Sequence, residues 1–116
     1  MIILTLPYPP SGNHRNGMRG KHVYRLSKTV LFFDVVRVIC AAENATRGLT
    51  GRLSVTYKVF PPDRRRRDIA NVEKAASDAL SEAGVWGDDC QIDELHMYRC
   101  ERVKGGMLIA EIKEIA

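Results

Sequence analysis

Cysteine is scarce in this chain, and the three present, Cys40, Cys90 and Cys100, are odd in number and show no CxxC spacing. That excludes a disulfide framework and a cysteine zinc site, and it suits a reducing compartment. Long apolar runs are also missing. The densest, Val30-Leu31-Phe32-Phe33, stops at Asp34, far short of the ~20 residues that span a bilayer. The N-terminus has no basic leader followed by an apolar stretch, so a cytoplasmic location with no membrane association is expected. There is no Walker loop, no GxSxG elbow, no HExxH and no dinucleotide fingerprint, which removes the familiar nucleophile and nucleotide motifs and any small-molecule cofactor they would bind. His14, His22 and His96 lack ligand spacing.

What is present is charge, and it is segregated. Residues 1–67 carry thirteen Lys/Arg against Asp34, Glu43 and Asp63, a balance of +10, whereas residues 68–116 carry five against eleven Asp/Glu, a balance of −6. A basic half suggests a polyanionic partner such as nucleic acid, and an acidic half beside it offers carboxylates for a cation. At 116 residues and 45% hydrophobic content, the chain reads as one domain, 1–116, large enough for a core.

In chain order, Ile2–Leu6 reads as a strand ended by Pro7. The next stretch, to Arg25, has no hydrophobic period and is rich in Pro and Gly, so it reads as a long loop. Its Asn13, Arg15, Arg19 and Lys21 are candidate nucleic-acid contacts, and Tyr8 and Tyr24 could stack on unpaired bases. Ser27 is a plausible N-cap for a helix to Arg47, with Gly48 as its stop. Ser27, Asp34, Arg37, Asn44 and Gly48, with Ala41 filling the same row, form one narrow polar stripe on that helix. The rest is so apolar that a homodimer burying part of it is expected.

Arg52–Phe60 alternates cleanly, Leu53, Val55, Tyr57 and Val59 on one face, so it is a strand ended by Pro61-Pro62. Then Asp63-Arg64-Arg65-Arg66-Arg67 runs into a second helix, Asp68 to Ala83, stopped by Gly84. Four guanidinium groups at a helix N-terminus oppose its dipole and repel one another, which calls for an anion. A turn presenting Asp88-Asp89 follows, then a strand Gln91–Arg102, a hairpin turn at Lys104-Gly105-Gly106 and a last strand Met107–Lys113. The order β-α-β-α-β-β, with the loop after the first strand, indicates an α/β or α+β domain with a small mixed sheet and two helices.

Asp68 at the helix entry and Asp88-Asp89 after it could converge if both connections lie at one end of the fold. Magnesium takes one or two protein carboxylates and completes its shell with water and phosphate, so such a cation beside arginines would suit phosphodiester hydrolysis, with Lys74 stabilising developing charge. Read alone, Asp68 is equally an ordinary cap and Asp88-Asp89 an ordinary turn.

These residues resemble the RusA family of Holliday junction resolvases. The likeness spans almost the whole chain: Leu6-Pro7-Tyr8-Pro9-Pro10-Ser11 with Asn13, Pro62 to Asp68, Asn71, Lys74-Ala75-Ala76, Asp78-Ala79-Leu80, Gly84-Val85-Trp86 with Asp88-Asp89, and Lys104-Gly105-Gly106. The resemblance implies a homodimeric endonuclease, dependent on magnesium with manganese as a substitute, that binds four-way DNA junctions by shape and makes paired nicks in recombination and repair, often in prophage. It implies that Asp68 and Asp89, with the neighbouring acid Asp88, hold the metal and that Lys74 is the catalytic lysine; Arg64 to Arg67 and Asn71, at the basic helix entry, are the candidate DNA contacts beside them. One position departs. The family pattern Asp-x-Asp-Asn reads Asp68-Ile69-Ala70-Asn71 here, and alanine cannot ligate a metal. Cleavage is therefore expected to be weak or absent, with junction binding retained; a non-catalytic, structure-selective DNA-binding protein is the alternative.

Overall fold

The computed structural model describes residues 1–10 and 27–115 in full, together with the backbone of two short strands between them. The elements are β1 (Ile2–Leu6), β2 (Asn16–Arg19), β3 (His22–Arg25), α1 (Ser27–Ala42), β4 (Arg52–Phe60), α2 (Ile69–Glu82), β5 (Ile92–Arg99) and β6 (Met107–Ile115), with a 3-10 turn at Asp89–Gln91 before β5. The α+β class and the two helices are as expected. The stretch read as a loop differs, because β2 and β3 pair antiparallel within it, Asn16 opposite Arg25 and Arg19 opposite His22. Neither Asn16-Gly17-Met18-Arg19 nor His22-Val23-Tyr24-Arg25 alternates apolar with polar residues, so no period of two announces them.

The main sheet has the order β1-β6-β4-β5. β4 and β5 run parallel, joined by the α2 crossover, while β6 lies antiparallel between β1 and β4. The Lys104–Gly106 connection is therefore not a hairpin turn: β5 sits at the edge and β6 inserts on the far side of β4. A parallel pair requires a crossover helix, and once α2 has placed β5 outside β4, the next strand finds its free partner on the opposite side.

Both helices cover one face of this sheet. β1 alternates buried and exposed along its length, and in β4 Leu53, Val55, Tyr57 and Val59 are all buried, which matches the expected face. Trp86, 1% exposed, is the largest fully buried side chain. From α1 the buried set is Thr29, Phe32, Phe33, Val36 and Cys40, one stripe only. Ile39 is half-buried against the core, while Val30, Leu31 and Val38 stand out in water, Leu31 64% and Val38 68% exposed.

The two helices stop by the same device. After α2, Val85 N–H donates to Leu80 O and Gly84 N–H to Ser81 O, with Gly84 at φ 86°. This is the Schellman arrangement, closed by the buried Leu80 and Val85, and glycine adopts the left-handed conformation without a Cβ clash. α1 was expected to reach Arg47 and end at Gly48, but it ends five residues sooner. There Ala45 N–H donates to Cys40 O and Asn44 N–H to Ala41 O, with Asn44 at φ 56°. Asparagine tolerates that conformation, and burying Ala45 and Cys40 together completes the motif. The two helix exits are then tied together, Gly48 N–H donating to Gly84 O and Leu49 N–H to Val85 O.

Candidate functional site

Pro61-Pro62 ends β4, and the basic run that follows is organised by one carboxylate. Asp63 accepts the Arg65 backbone N–H at 2.9 Å, an Asx-type turn, and both terminal nitrogens of Arg67, Nη1 on Oδ1 and Nη2 on Oδ2. The Arg67 hydrogen bonds, helped by the Arg65 amide, hold Asp63 down to about 2. Arg67 also lies 5.7 Å from the centre of the Tyr8 ring. Gly106, at φ 70°, packs so tightly on that ring that a Cβ there would lie 2.9 Å from Tyr8 Cβ and 3.0 Å from Cγ. Burial raises the Tyr8 hydroxyl above its ordinary value, opposed by the Arg67 charge. The half-buried Tyr8 ring links the first proline-rich turn, the basic run and the Gly105-Gly106 turn.

Arg64, Arg65 and Arg66 remain exposed. Asp68 is the N-cap of α2, with extended backbone at φ −89° and ψ 125°; its side chain makes no cap hydrogen bond, and the first turn of the helix holds no acid. Ala70 is exposed, and Asn71 is half-buried. Asn13, Arg15 and Lys21 lie outside the described residues, as does the side chain of Arg19 in β2.

Farther along α2 a second group assembles. Asp89 is brought to the helix by the 3-10 turn and accepts a hydrogen bond from the Trp86 indole N–H at 2.8 Å. Desolvation raises its carboxyl above the ordinary range, Asp78 close enough to share a hydrogen bond raises it further, and the Trp86 donor and the charge of Lys74 oppose this. Lys74 is exposed and reaches to 3.9 Å from Asp78. Asp88 takes a different role from its neighbour. Its carboxylate accepts the Cys90 N–H at 2.9 Å and forms a capping box with Gln91, and the Cys90 amide lowers its pKa. Gln91 also donates to Leu49 O and Gly51 O, so this side chain, unremarked in the sequence, anchors the turn that presents Asp89.

Behind Lys74 and Ala70 runs a buried chain. The Tyr57 hydroxyl lies 2.8 Å from Ser77 Oγ, which donates to Glu73 Oε2. Burial raises the Tyr57 hydroxyl far above its usual value, and the charges of Glu73, Asp89 and Asp78 add to this. The four acids therefore divide. Asp78 and Asp89 meet beside Lys74, Glu73 is turned to Ser77, and Asp68 stays at the helix entry. Among the described residues no three His, Cys, Asp or Glu side chains converge to hold a metal ion. A half-buried pair of carboxylates in mutual contact is nonetheless a donor set suited to a hard cation, which takes one or two from protein. Glu73 carries no motif of its own, and Asp78 entered only as part of the Asp78-Ala79-Leu80 likeness, without a role; the signal for both was their helical spacing, three residues from Ala70 and four from Lys74.

Comparison with known proteins follows the same residues. A family model described as Endodeoxyribonuclease RusA matches residues 7–112. The crossover junction endodeoxyribonuclease RusA of Escherichia coli is 36% identical over 114 residues, covering 97% of this chain and 93% of that protein. The protein of that name from Shigella sonnei is 36% identical over 115 residues, and the one from Enterobacteria phage 82 is 34% identical over 114, each with the same coverage.

Proposed function

The chain belongs to the RusA family of endodeoxyribonucleases, and from that premise we propose that it recognises four-way DNA junctions and is built as a cation-dependent endonuclease weakened by Ala70. The observation that carries this reading is the arrangement along α2: an arginine-rich entry, then Lys74 beside the half-buried pair Asp78 and Asp89.

Asp89, with Asp78 against it, would hold magnesium, or manganese in its place, and Asp68 at the helix entry is the further ligand that the family resemblance assigns. When bound, the cation would polarise the scissile phosphodiester and lower the pKa of a water molecule. Asp89 is held in place by the Trp86 N–H, and desolvation together with the adjacent acid makes its bare anion costly. A cation there relieves the same repulsion that raises its pKa. Lys74, exposed on the next turn, places a positive charge where negative charge develops on the phosphoryl oxygens. Arg64, Arg65 and Arg66 project outward to hold backbone phosphates, with Asn71 beside them, while Arg67 is fixed by Asp63. Phosphate contacts of this kind set position on DNA without reading sequence, which suits recognition by shape.

Position 70 lies one helical turn before Lys74 and carries only a methyl group. That favours a second reading, a junction-binding protein without cleavage. A nicking assay on four-way, three-way and linear DNA with magnesium separates them. Ala70→Asp is expected to raise junction nicking on the order of 10-fold or more, the scale seen when metal-site partners are altered. Equal, strong nicking by both chains would remove position 70 from the argument, and no cation-stimulated nick in either would leave the binding-only reading.

The exposed apolar side of α1, Leu31 and Val38 above all, supports a homodimer through this helix. Sedimentation of Val38→Glu tests it: the parent should run as a dimer and the variant as a monomer, and a monomeric parent refutes the assignment.

A further inference from the structure

Two arginines far from the basic run complete a pocket that the run does not form alone. A cavity of about 220 Å³ opens where β4 ends and α2 begins, and five arginines contribute to its lining, Arg64, Arg65, Arg67, Arg99 and Arg102. Arg99 closes β5 and Arg102 follows it. Both are brought there because the chain leaving β5 runs on along the end of β4, Cys100 N–H donating to Val59 O at 2.7 Å and Val103 N–H to Pro61 O at 3.0 Å. Arg99 also donates to the backbone oxygen of Arg67.

Among the described residues the pocket contains one carboxylate, Asp63, which is already committed to Arg67 and to the Arg65 backbone. Five cations facing one engaged anion repel one another and call for a second anion. Its size falls below the ~300–1,000 Å³ typical of small-molecule sites, which suits a single phosphate group rather than a whole nucleotide. The cavity also lies at a set place along α2. Ile69 is in its wall, and Lys74 stands five residues on, about 7–8 Å along the axis at 1.5 Å per residue.

Resting on the endonuclease reading above, we infer that this pocket seats a backbone phosphate of the bound strand adjoining the phosphate that faces Lys74, with Arg102 and Arg99 as positioning residues. Gripping that phosphate sets which phosphodiester lies against Asp89 and Lys74.

The test uses the full chain and a synthetic four-way junction, with binding followed by fluorescence anisotropy over a series of salt concentrations. Arg102→Gln should weaken binding about 3- to 10-fold and reduce the slope of log affinity against log salt by about 0.9, the value for one phosphate contact. Arg102→Lys, which keeps the charge, should recover most of the slope. In the Ala70→Asp background, Arg102→Gln should also spread the mapped nick positions over neighbouring phosphates. An unchanged slope for Arg102→Gln, beside a parent that binds junctions with a steep salt dependence, overturns the pocket assignment while leaving the endonuclease reading intact. A parent that shows no salt-dependent junction binding overturns the endonuclease reading itself.

Discussion

Replacing Gly106 by alanine tests the contact on which the basic site is braced. Two costs apply. The residue sits at φ 70°, where an L side chain loses ~1–2 kcal/mol, and the new methyl would lie 2.9–3.0 Å from Tyr8 Cβ, Cγ and Cδ1. Real Cβ atoms do not approach backbone-anchored atoms that closely, so Tyr8 must move, and overpacking of this kind costs roughly 1–3 kcal/mol. The expected total is about 3 kcal/mol, less the few tenths to ~1 kcal/mol by which alanine stiffens the unfolded chain. Gly105 supplies the control. It has φ 81°, but a Cβ there meets nothing within 4 Å, so Gly105→Ala carries the backbone cost without the clash. Urea unfolding of both variants should give a loss for Gly106→Ala larger by about 1–3 kcal/mol. Since the ring also carries Arg67, junction affinity should fall for Gly106→Ala and hold for Gly105→Ala. Equal losses for the two would refute the packing of Tyr8 on Gly106.

Two further outcomes follow from the same structure. Asp63 moves from the ordinary 3.8 to about 2 on folding, chiefly through Arg67; because its folded pKa is the lower one, it contributes stability present above pH ~4 and lost as pH falls toward 2. Asp63→Asn should flatten that part of a stability-versus-pH curve, and an unaltered curve would show that the Asp63–Arg67 pair does not form in solution. Within the buried chain, Tyr57→Phe removes one hydroxyl while Ser77 keeps its Glu73 partner, a loss near 1 kcal/mol, whereas Ser77→Ala strands the buried Tyr57 hydroxyl and should cost ~1–3 kcal/mol. Thermal unfolding that ranks them the other way would contradict the direction of that chain.

The sequence by itself determined the elements whose signals are local. Alternation and flanking prolines bounded β1 and β4 to the residue, and the apolar period with Gly84 bounded α2, because period, φ preference and the missing proline N–H are properties of adjacent residues. The string from Pro62 to Lys74 likewise carried the family and the basic helix entry, since its chemistry lies on one continuous segment. Tertiary structure decided what depends on residues far apart. The α1 exit moved to Asn44 because burying Ala45 against the core closes a motif that asparagine tolerates. β6 left β5 and paired with β1 and β4 because the α2 crossover had filled one side of β4. Asp88 and Asp89, adjacent and chemically identical in the sequence, separated into a cap and a half-buried acid because one meets the Cys90 amide and the other meets Trp86 and Asp78. Tyr8 turned inward to Gly106, and Arg99 and Arg102 joined a pocket begun more than thirty residues earlier. Each of these rests on a contact across the sheet or between helix exits, and burial and hydrogen bonding across such distances leave no periodic trace along the chain.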